Sequence, residues 1–278
     1  MLKFKKMHGL GNDFIILDLR DGKSLPDKSV IAKMTHRKFG VGCDQFIPVF
    51  PPEHPKADAF MRILNAPDAS EAEACGNATR CVADFLMRES GKDYAVIHTV
   101  AGFLECRRTE NGMVEVDMGV PSLNWQDIPL SHDMDTRHID LAVEGCDLPS
   151  GTAVNIGNPH CVLFFDDAEA LDIECIGPKV EHHPFFTART NVEFVSLIEK
   201  NRLRMRVWER DTGVTMACGS AACATAVAAI EHGLTDRKVE VMLDGGPLFF
   251  EWREQDRHLL MTGPVTYVYD GMLSDDFS

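Results

Sequence analysis

Met216-Ala217-Cys218-Gly219-Ser220-Ala221-Ala222-Cys223 places a cysteine directly before a Gly-Ser pair and a run of small apolar residues. Upstream, Glu73-Ala74-Cys75-Gly76-Asn77-Ala78-Thr79-Arg80-Cys81 is a near copy. Both read Ala-Cys-Gly-(small polar)-Ala, and both open a stretch of helical character. After Cys75, Val82, Phe85 and Leu86 recur at helical spacing until Gly91 ends the run. After Cys218, residues 221–230 are apolar on every face, which predicts a helix buried all round and ended by Gly233. Two cysteines, each at the mouth of a helix, suggest a paired acid and base.

The likeness extends outward from the cysteines. Gly11-Asn12-x-x-Ile-Ile-Leu matches Gly157-Asn158-x-x-Cys-Val-Leu, and Asp44-Gln45-Phe46-Ile47 is paired with Val192-Glu193-Phe194-Val195. Arg62-Ile63 precedes Cys75 as Arg206-Val207 precedes Cys218. Asn12 lies 63 positions before Cys75, and Asn158 lies 60 before Cys218. One short match arises by chance, but several in the same order indicate a duplication. The expected fold is α/β (α+β). It has two pseudo-symmetric domains, each with mixed strands around a central helix, and the cysteines face each other across the cleft between them. Expected elements include a helix over 29–38, strands over 59–65, 94–99, 102–107 and 113–118, and a polar loop over 66–74. A Pro- and Asp-rich joint is expected over 119–138.

With 278 residues the chain is long enough for two cored domains, and 45% hydrophobic with 26% charged residues is the mix of a soluble globular enzyme. A net charge of −15 argues against a nucleic-acid surface, which needs clustered Lys and Arg. No segment is long enough to span a bilayer, and the apolar run 14–17 is too short for a signal peptide. Nine cysteines without a Cys-x-x-Cys argue against a disulfide framework or a ribbon-type zinc site, and point to the reducing cytosol. No metal is expected.

A thiol titrates near ~8.5. A helix N-terminus stabilises an anion by about 0.3–1 kcal/mol, and by up to ~2 when partly buried, so a thiolate near neutral pH is accessible. Two thiolates at short range repel, so the pair rests as one thiolate and one thiol. That state suits stereoinversion at a carbon bearing a carboxylate. One sulfur takes the α-proton and the other returns a proton to the opposite face. The N–H groups around Gly76-Asn77 and Gly219-Ser220 would hold the carboxylate and its growing charge. No lysine motif for pyridoxal phosphate is evident, and no cofactor is expected. For Cys43, Cys81, Cys106, Cys146, Cys161, Cys175 and Cys223 the packing reading is preferred. The blander reading of His160 is a hydrogen-bonded loop histidine, and that of Glu209-Arg210 a solvated strand end. The carboxylates over 66–73 read as solvated surface.

Several motifs, taken together, make the chain resemble the diaminopimelate epimerase family. They are Lys6-Met7-His8-Gly9-Leu10-Gly11-Asn12-Asp13-Phe14, Asn65, Cys75-Gly76-Asn77, Gly157-Asn158-Pro159-His160-Cys161-Val162, Asn191, Glu209-Arg210, Ala217-Cys218-Gly219-Ser220 and Met261-Thr262-Gly263-Pro264. The resemblance runs the length of the chain. It implies a pyridoxal-independent isomerase that interconverts LL- and meso-diaminopimelate, in lysine and peptidoglycan precursor synthesis, with Cys75 and Cys218 as base and acid. It implies substrate contacts from Asn12, Gln45, Asn65, Asn158, Asn191, Glu209 and Arg210, and carboxylate binding by Gly76, Asn77, Gly219 and Ser220. His160 and Glu209 would tune the thiols. It also implies a cytoplasmic homodimer acting on a small amino acid, and a final strand that returns to the first domain. The domains would then be 1–119 with 265–278, and 120–264. Ala78 and Ala221 stand where the family commonly has glycine, and are expected to be helical. The loop 65–70 has Pro and Ala where the family tends to have Asp-Gly. The alternatives are a two-cysteine racemase for proline, hydroxyproline or a basic amino acid, and a non-catalytic thiol-redox or metal-binding protein.

Overall fold

A hairpin opens each half of the chain, and its turn needs glycine. In the computed structural model, which describes residues 2–72 and 74–274, β1 (Lys3–Gly9) and β2 (Asn12–Asp18) pair antiparallel around Leu10-Gly11, with φ 88° at Gly11. α1 (Lys28–Thr35) follows. It ends earlier than expected because His36 turns extended and the N–H groups of Val41 and Gly42 return to the Met34 carbonyl. β3 (Gln45–Phe50) then runs parallel to β2.

The strand expected over 59–65 is two pieces, β4 (Ala59–Met61) and β5 (Ile63–Asn65), both antiparallel to β3. The break faces Pro48, which accepts from the Arg62 N–H but has no N–H to return. The loop expected over 66–74 contains a further short strand, β6 (Glu71–Ala72), on β5. Glu71 is ion-paired with Arg62 at 2.7 Å, and Glu73 lies outside the described residues. α2 (Gly76–Ser90) stops at Gly91, whose φ of 70° is left-handed. β7 (Tyr94–Thr99) is parallel to β4, and β8 (Gly102–Arg108) and β9 (Val114–Asp117) continue antiparallel.

The second half repeats the plan. β10 (Thr152–Asn155) and β11 (Pro159–Phe164) pair around Gly157, φ 95°. α3 (Ile173–Glu181) leads to β12 (Asn191–Glu199), parallel to β11. β13 (Arg202–Glu209) and β14 (Gly213–Val214) follow antiparallel. After α4 (Gly219–Glu231), β15 (Lys238–Leu243) lies parallel to β13, and β16 (Gly246–Trp252) and β17 (Leu259–Gly263) complete the sheet. β18 (Thr266–Met272) pairs antiparallel with β1. Two compact units result, residues 1–117 with 263–278, and residues 118–262.

Residues 119–138 are not a joint. They belong to the second unit, where Ser122 bridges to Asn155, Leu130 bridges to Phe186, and Ile128 and Leu130 are buried. α3 has no counterpart in the sequence reading. A Cβ on its Gly177 would come within 2.5 Å of the Trp208 ring, so the helix lies on β13 only because that residue is glycine. α4 packs against β10, β11, β12, β13, β15 and β16, and Ala221, Ala222, Ala224, Ala226 and Ala228 are each 0% exposed, so the sheet encloses it on all sides. α2 packs against β1, β2, β7, β8 and β9, and is buried with two charges aboard. Asp84 is matched by Arg88 and Arg108, each at 2.6 Å.

The ladders define the duplication. Phe14 pairs with Gln45, and His160 pairs with Asn191. Gln45 therefore corresponds to Asn191 and Ile47 to Glu193, a correction of two positions to the match read from the sequence. Leu64 pairs with Phe46 and Trp208 with Val192, which makes Asn65 the counterpart of Glu209.

Candidate active site

Both cysteines occupy the N-cap of the central helix of their unit, with extended backbone (φ −151° at Cys75, −122° at Cys218). At that position the first N–H groups of the helix point out of its mouth, beside the sulfur. Cys75 Sγ accepts from the Ala78 N–H at 3.4 Å. Ala78 and Ala221 are helical and fully buried, so a methyl in place of hydrogen fits the turn.

Around Cys75 the amide orientations are set by charged ends. Arg80, 0% exposed, donates from Nη2 to Asn77 Oδ1 at 2.7 Å. Asn77 Nδ2 then donates to Asn12 Oδ1 at 3.2 Å, and Asn12 Nδ2 donates to Asp44 Oδ2 at 3.1 Å. A guanidinium only donates and a carboxylate only accepts, so the chain has one sense. It leaves Asn12 Oδ1 facing the sulfur, where the Cys75 thiol donates to it at 3.7 Å. Gly9 has no side chain because a Cβ would sit 3.1 Å from Arg80 Nη2 and 3.2 Å from Asn77 Cβ. Gln45 Nε2 donates to Asn65 Oδ1 at 2.9 Å.

Beneath this lies a clamp that the sequence reading missed. Asp13 and Asp44 exchange bonds, each N–H to the other's carboxylate at 3.0 Å. Lys6 bonds the Asp13 carboxylate and the Gly42 carbonyl, and Arg37 reaches both carboxylates, Asp13 at 2.8 Å. Burial alone would raise Asp13, but the bonds from Arg37 and Lys6 outweigh it and hold the carboxyl below its usual range. The only sequence signal was Lys6 and Asp13 within one motif.

In the second unit, Cys218 is 8% exposed, with Ser220 Oγ at 3.5 Å from its sulfur. Burial pushes the Cys218 thiol well up and the Glu209 charge adds to this, against donors from Ser220 and Ala221. The Thr215 hydroxyl donates to Glu209. Asn191 is engaged at both ends by backbone, donating to the Pro159 carbonyl at 2.9 Å and accepting from the Arg210 N–H at 2.9 Å, so it pins Arg210 to the end of β11. His160 is a strand residue, not a loop one, and is fully buried. Its Nε2 lies 2.8 Å from Asn158 Oδ1 and its Nδ1 lies 2.7 Å from Glu193 Oε1.

Asn12, Gln45, Asn65, Cys75, Gly76 and Asn77 thus stand within the first unit. Asn158, His160, Asn191, Glu209, Arg210, Cys218, Gly219 and Ser220 stand within the second, in matching order. Of the remaining cysteines, Cys43, Cys81, Cys106, Cys161 and Cys223 are core residues, and burial pushes the Cys43 thiol up to about 12. Cys175 and Cys146 correct the packing reading. Cys175 is exposed on α3, and Cys146 is half-buried with Lys179 Nζ 3.7 Å from its sulfur. No group of three or more His, Cys, Asp or Glu suited to a metal occurs among the described residues. No described helix is long and apolar enough to cross a membrane.

The family model described as diaminopimelate epimerase matches residues 4–124 and 152–268. A diaminopimelate epimerase of Rhodospirillum centenum is 48% identical over 98% of this chain and 92% of its own length. Diaminopimelate epimerase 1 of Nostoc sp. is 45% identical over 98% of this chain and 99% of its own. Among solved structures, a probable proline racemase from Agrobacterium radiobacter superposes with a TM-score of 0.70 at 12% identity, covering 99% of this chain and 94% of that one. A Bacillus anthracis phenazine biosynthesis protein of the PhzF family superposes with a TM-score of 0.68 at 17% identity, covering 97% and 98%. These two likenesses establish the fold.

Proposed function

From the premise that this chain belongs to the diaminopimelate epimerase family, and is therefore an isomerase, we propose how its residues divide the work of interconverting LL- and meso-diaminopimelate. Cys75 and Cys218 are the two proton-transfer groups. In one direction the first sulfur, as thiolate, removes the α-proton, and the second, as thiol, protonates the opposite face of the carbon. In the reverse direction the roles exchange. No imine to a cofactor is drawn on. The charge that builds on the α-carboxylate is held by the N–H groups of Gly76, Asn77, Gly219 and Ser220 at the helix mouths. Asn12, Gln45, Asn65, Asn158 and Asn191 orient the substrate, directly or by holding a neighbour. Glu209 and Arg210 read the ammonium and carboxylate of the distal amino acid centre. His160 and Glu209 bias the thiols.

The observation that carries this reading is the equivalence of the two cysteines. Each caps the central helix of a repeat, and the strands that precede it match in order and register. A packing cysteine needs no such partner.

The test is to incubate purified protein with LL-diaminopimelate in deuterated water without added cofactor. Deuterium at the α-carbon, together with meso product, is expected. Exchange with proline and none with diaminopimelate would sink the substrate assignment. The reading extends to a cytoplasmic homodimer. It is supported by nine free cysteines, and by Val268, Tyr269 and Met272 exposed on β18. A monomeric mass by light scattering would remove the dimer.

A further inference from the structure

One fully buried acid has no place in that scheme. Glu193, on β12, is 0% exposed; Oε1 meets His160 Nδ1 at 2.7 Å, and Oε2 has no hydrogen-bond partner. A buried carboxylate with one unmatched oxygen is costly to keep. The fold does not require it, since the repeat has the fully buried Ile47 at the same register position, opposite Ile16 as Glu193 is opposite Val162. We propose that Glu193 is a positioning residue that keeps a proton on His160 Nε2 and thereby fixes which end of the Asn158 amide faces outward.

Asn158 Oδ1 only accepts, so the 2.8 Å contact requires a proton on His160 Nε2. On the other side, Nδ1 and Glu193 share one further proton, as imidazolium with carboxylate or as imidazole with carboxylic acid, and in both states Nε2 keeps its hydrogen. A neutral ring with its proton on Nδ1 against the carboxylate would set a bare Nε2 against Asn158 Oδ1, two acceptors in contact, so the pair has to hold that shared proton. Asn158 Oδ1 is then held inward and Nδ2 is left to donate, as a substrate carboxylate or carbonyl requires. With an amide at 193, the neutral ring is free to carry its proton on Nδ1. Nε2 becomes an acceptor and Asn158 turns over, presenting oxygen where nitrogen had been. The other ionisable groups acting on Glu193 or feeling its charge are Glu209 and Cys161.

The inference rests on the reading of Asn158 as a substrate contact, so the test has one arm that does not. In protein labelled with ¹⁵N in histidine, the buried His160 of the wild type is expected to show a directly bonded proton on Nε2 across mildly acidic to mildly alkaline pH. In folded Glu193→Gln, neutral Nε2 is expected without one. Kinetically, E193Q is expected to raise KM for LL-diaminopimelate about tenfold with kcat nearly unchanged. It should add nothing further in an Asn158→Ala background, because it acts through Asn158. A bare Nε2 in the wild type would overturn the inference, and that measurement stands even where E193Q does not fold. An E193Q protein with a wild-type ring spectrum and KM would overturn it too. Loss of the Nε2 proton with unchanged KM would uphold the positioning of the ring and break the substrate reading of Asn158 instead.

Discussion

Cys75 and Cys218 hold the same place in two copies of one fold, and their surroundings carry opposite charge. On the helix that Cys75 caps, the buried Arg80 guanidinium holds Asn77, at the repeat position where the second unit has Cys223. Beside Cys218 acts the Glu209 carboxylate, at the ladder position where the first unit has Asn65. Both sulfurs accept a backbone N–H, from Ala78 and from Ala221, but Cys75 is half-buried whereas Cys218 is buried and its proton is held tightly. Duplication made two equivalent thiols, and substitutions at a few flanking positions made them unequal. The proposed reaction, which needs one base and one acid at each turn, would be served by that inequality.

The strongest way to break the comparison is to remove each sulfur. Cys75→Ala and Cys218→Ala are each expected to lower kcat by roughly 10²–10⁴, the usual share of one proton-transfer group. Each should exchange the α-proton of one stereoisomer only, and the two variants should choose opposite isomers. A variant that still exchanges both isomers would end the two-base reading. Next, iodoacetamide at neutral pH is expected to modify Cys75 before Cys218, followed by peptide mass mapping. Glu209→Gln should speed modification of Cys218, since removing that charge lets the thiol lose its proton more readily and raises the thiolate fraction. An unchanged rate would show that Glu209 does not load this sulfur.

A smaller contrast lies in the hairpins. Asp13, held low by Arg37 and Lys6, has Pro159 as its counterpart, so the clamp exists in the first unit alone. A carboxyl lowered on folding contributes stability above its unfolded value of about 3.9, and loses it as pH falls through the folded value. Hydrogen exchange on acidification is therefore expected to loosen β2–β3 before β11–β12, an effect that solvent screening at the exposed Arg37 keeps small. Simultaneous loosening would count against the clamp. The least effect is expected from Ala69→Gly. Ala69 has φ 54°, so glycine should raise stability by about 0.5–1 kcal/mol in a urea titration. A loss there would mean that the buried methyl outweighs the strain.

What could be read from the sequence followed period and punctuation. The helices after Cys75 and Cys218 were legible because a cysteine–glycine opening, a helical run and a closing glycine mark both ends. α3 was not, because Gly177 and Pro178 read as breakers, while the contact that requires Gly177 comes from Trp208 on a distant strand. The two-residue error in matching Gln45 has a physical cause. Side chains alternate with period two, so a shift of two keeps every residue on its face and leaves the hydrophobic pattern unchanged. Only the ladder partners Phe14 and His160 reveal it. The site residues were proposed from motif likeness. What no motif carries whole is the Lys6–Asp13–Arg37–Asp44 clamp, of which only Lys6 and Asp13 share one, and the Glu193–His160 pair; both join segments some thirty residues apart.

The pairing of β18 with β1 has a consequence for the order in which the chain becomes protein. Strand β1 has β2 beside it at once but waits for its second partner, made more than two hundred residues later, while the strands β10 to β16 of the second unit lie within residues 118–262. During synthesis the second unit is therefore complete on leaving the ribosome, while the first still shows an unpaired edge along Lys3–Gly9. That edge is where a nascent chain of this protein is most open to wrong partners.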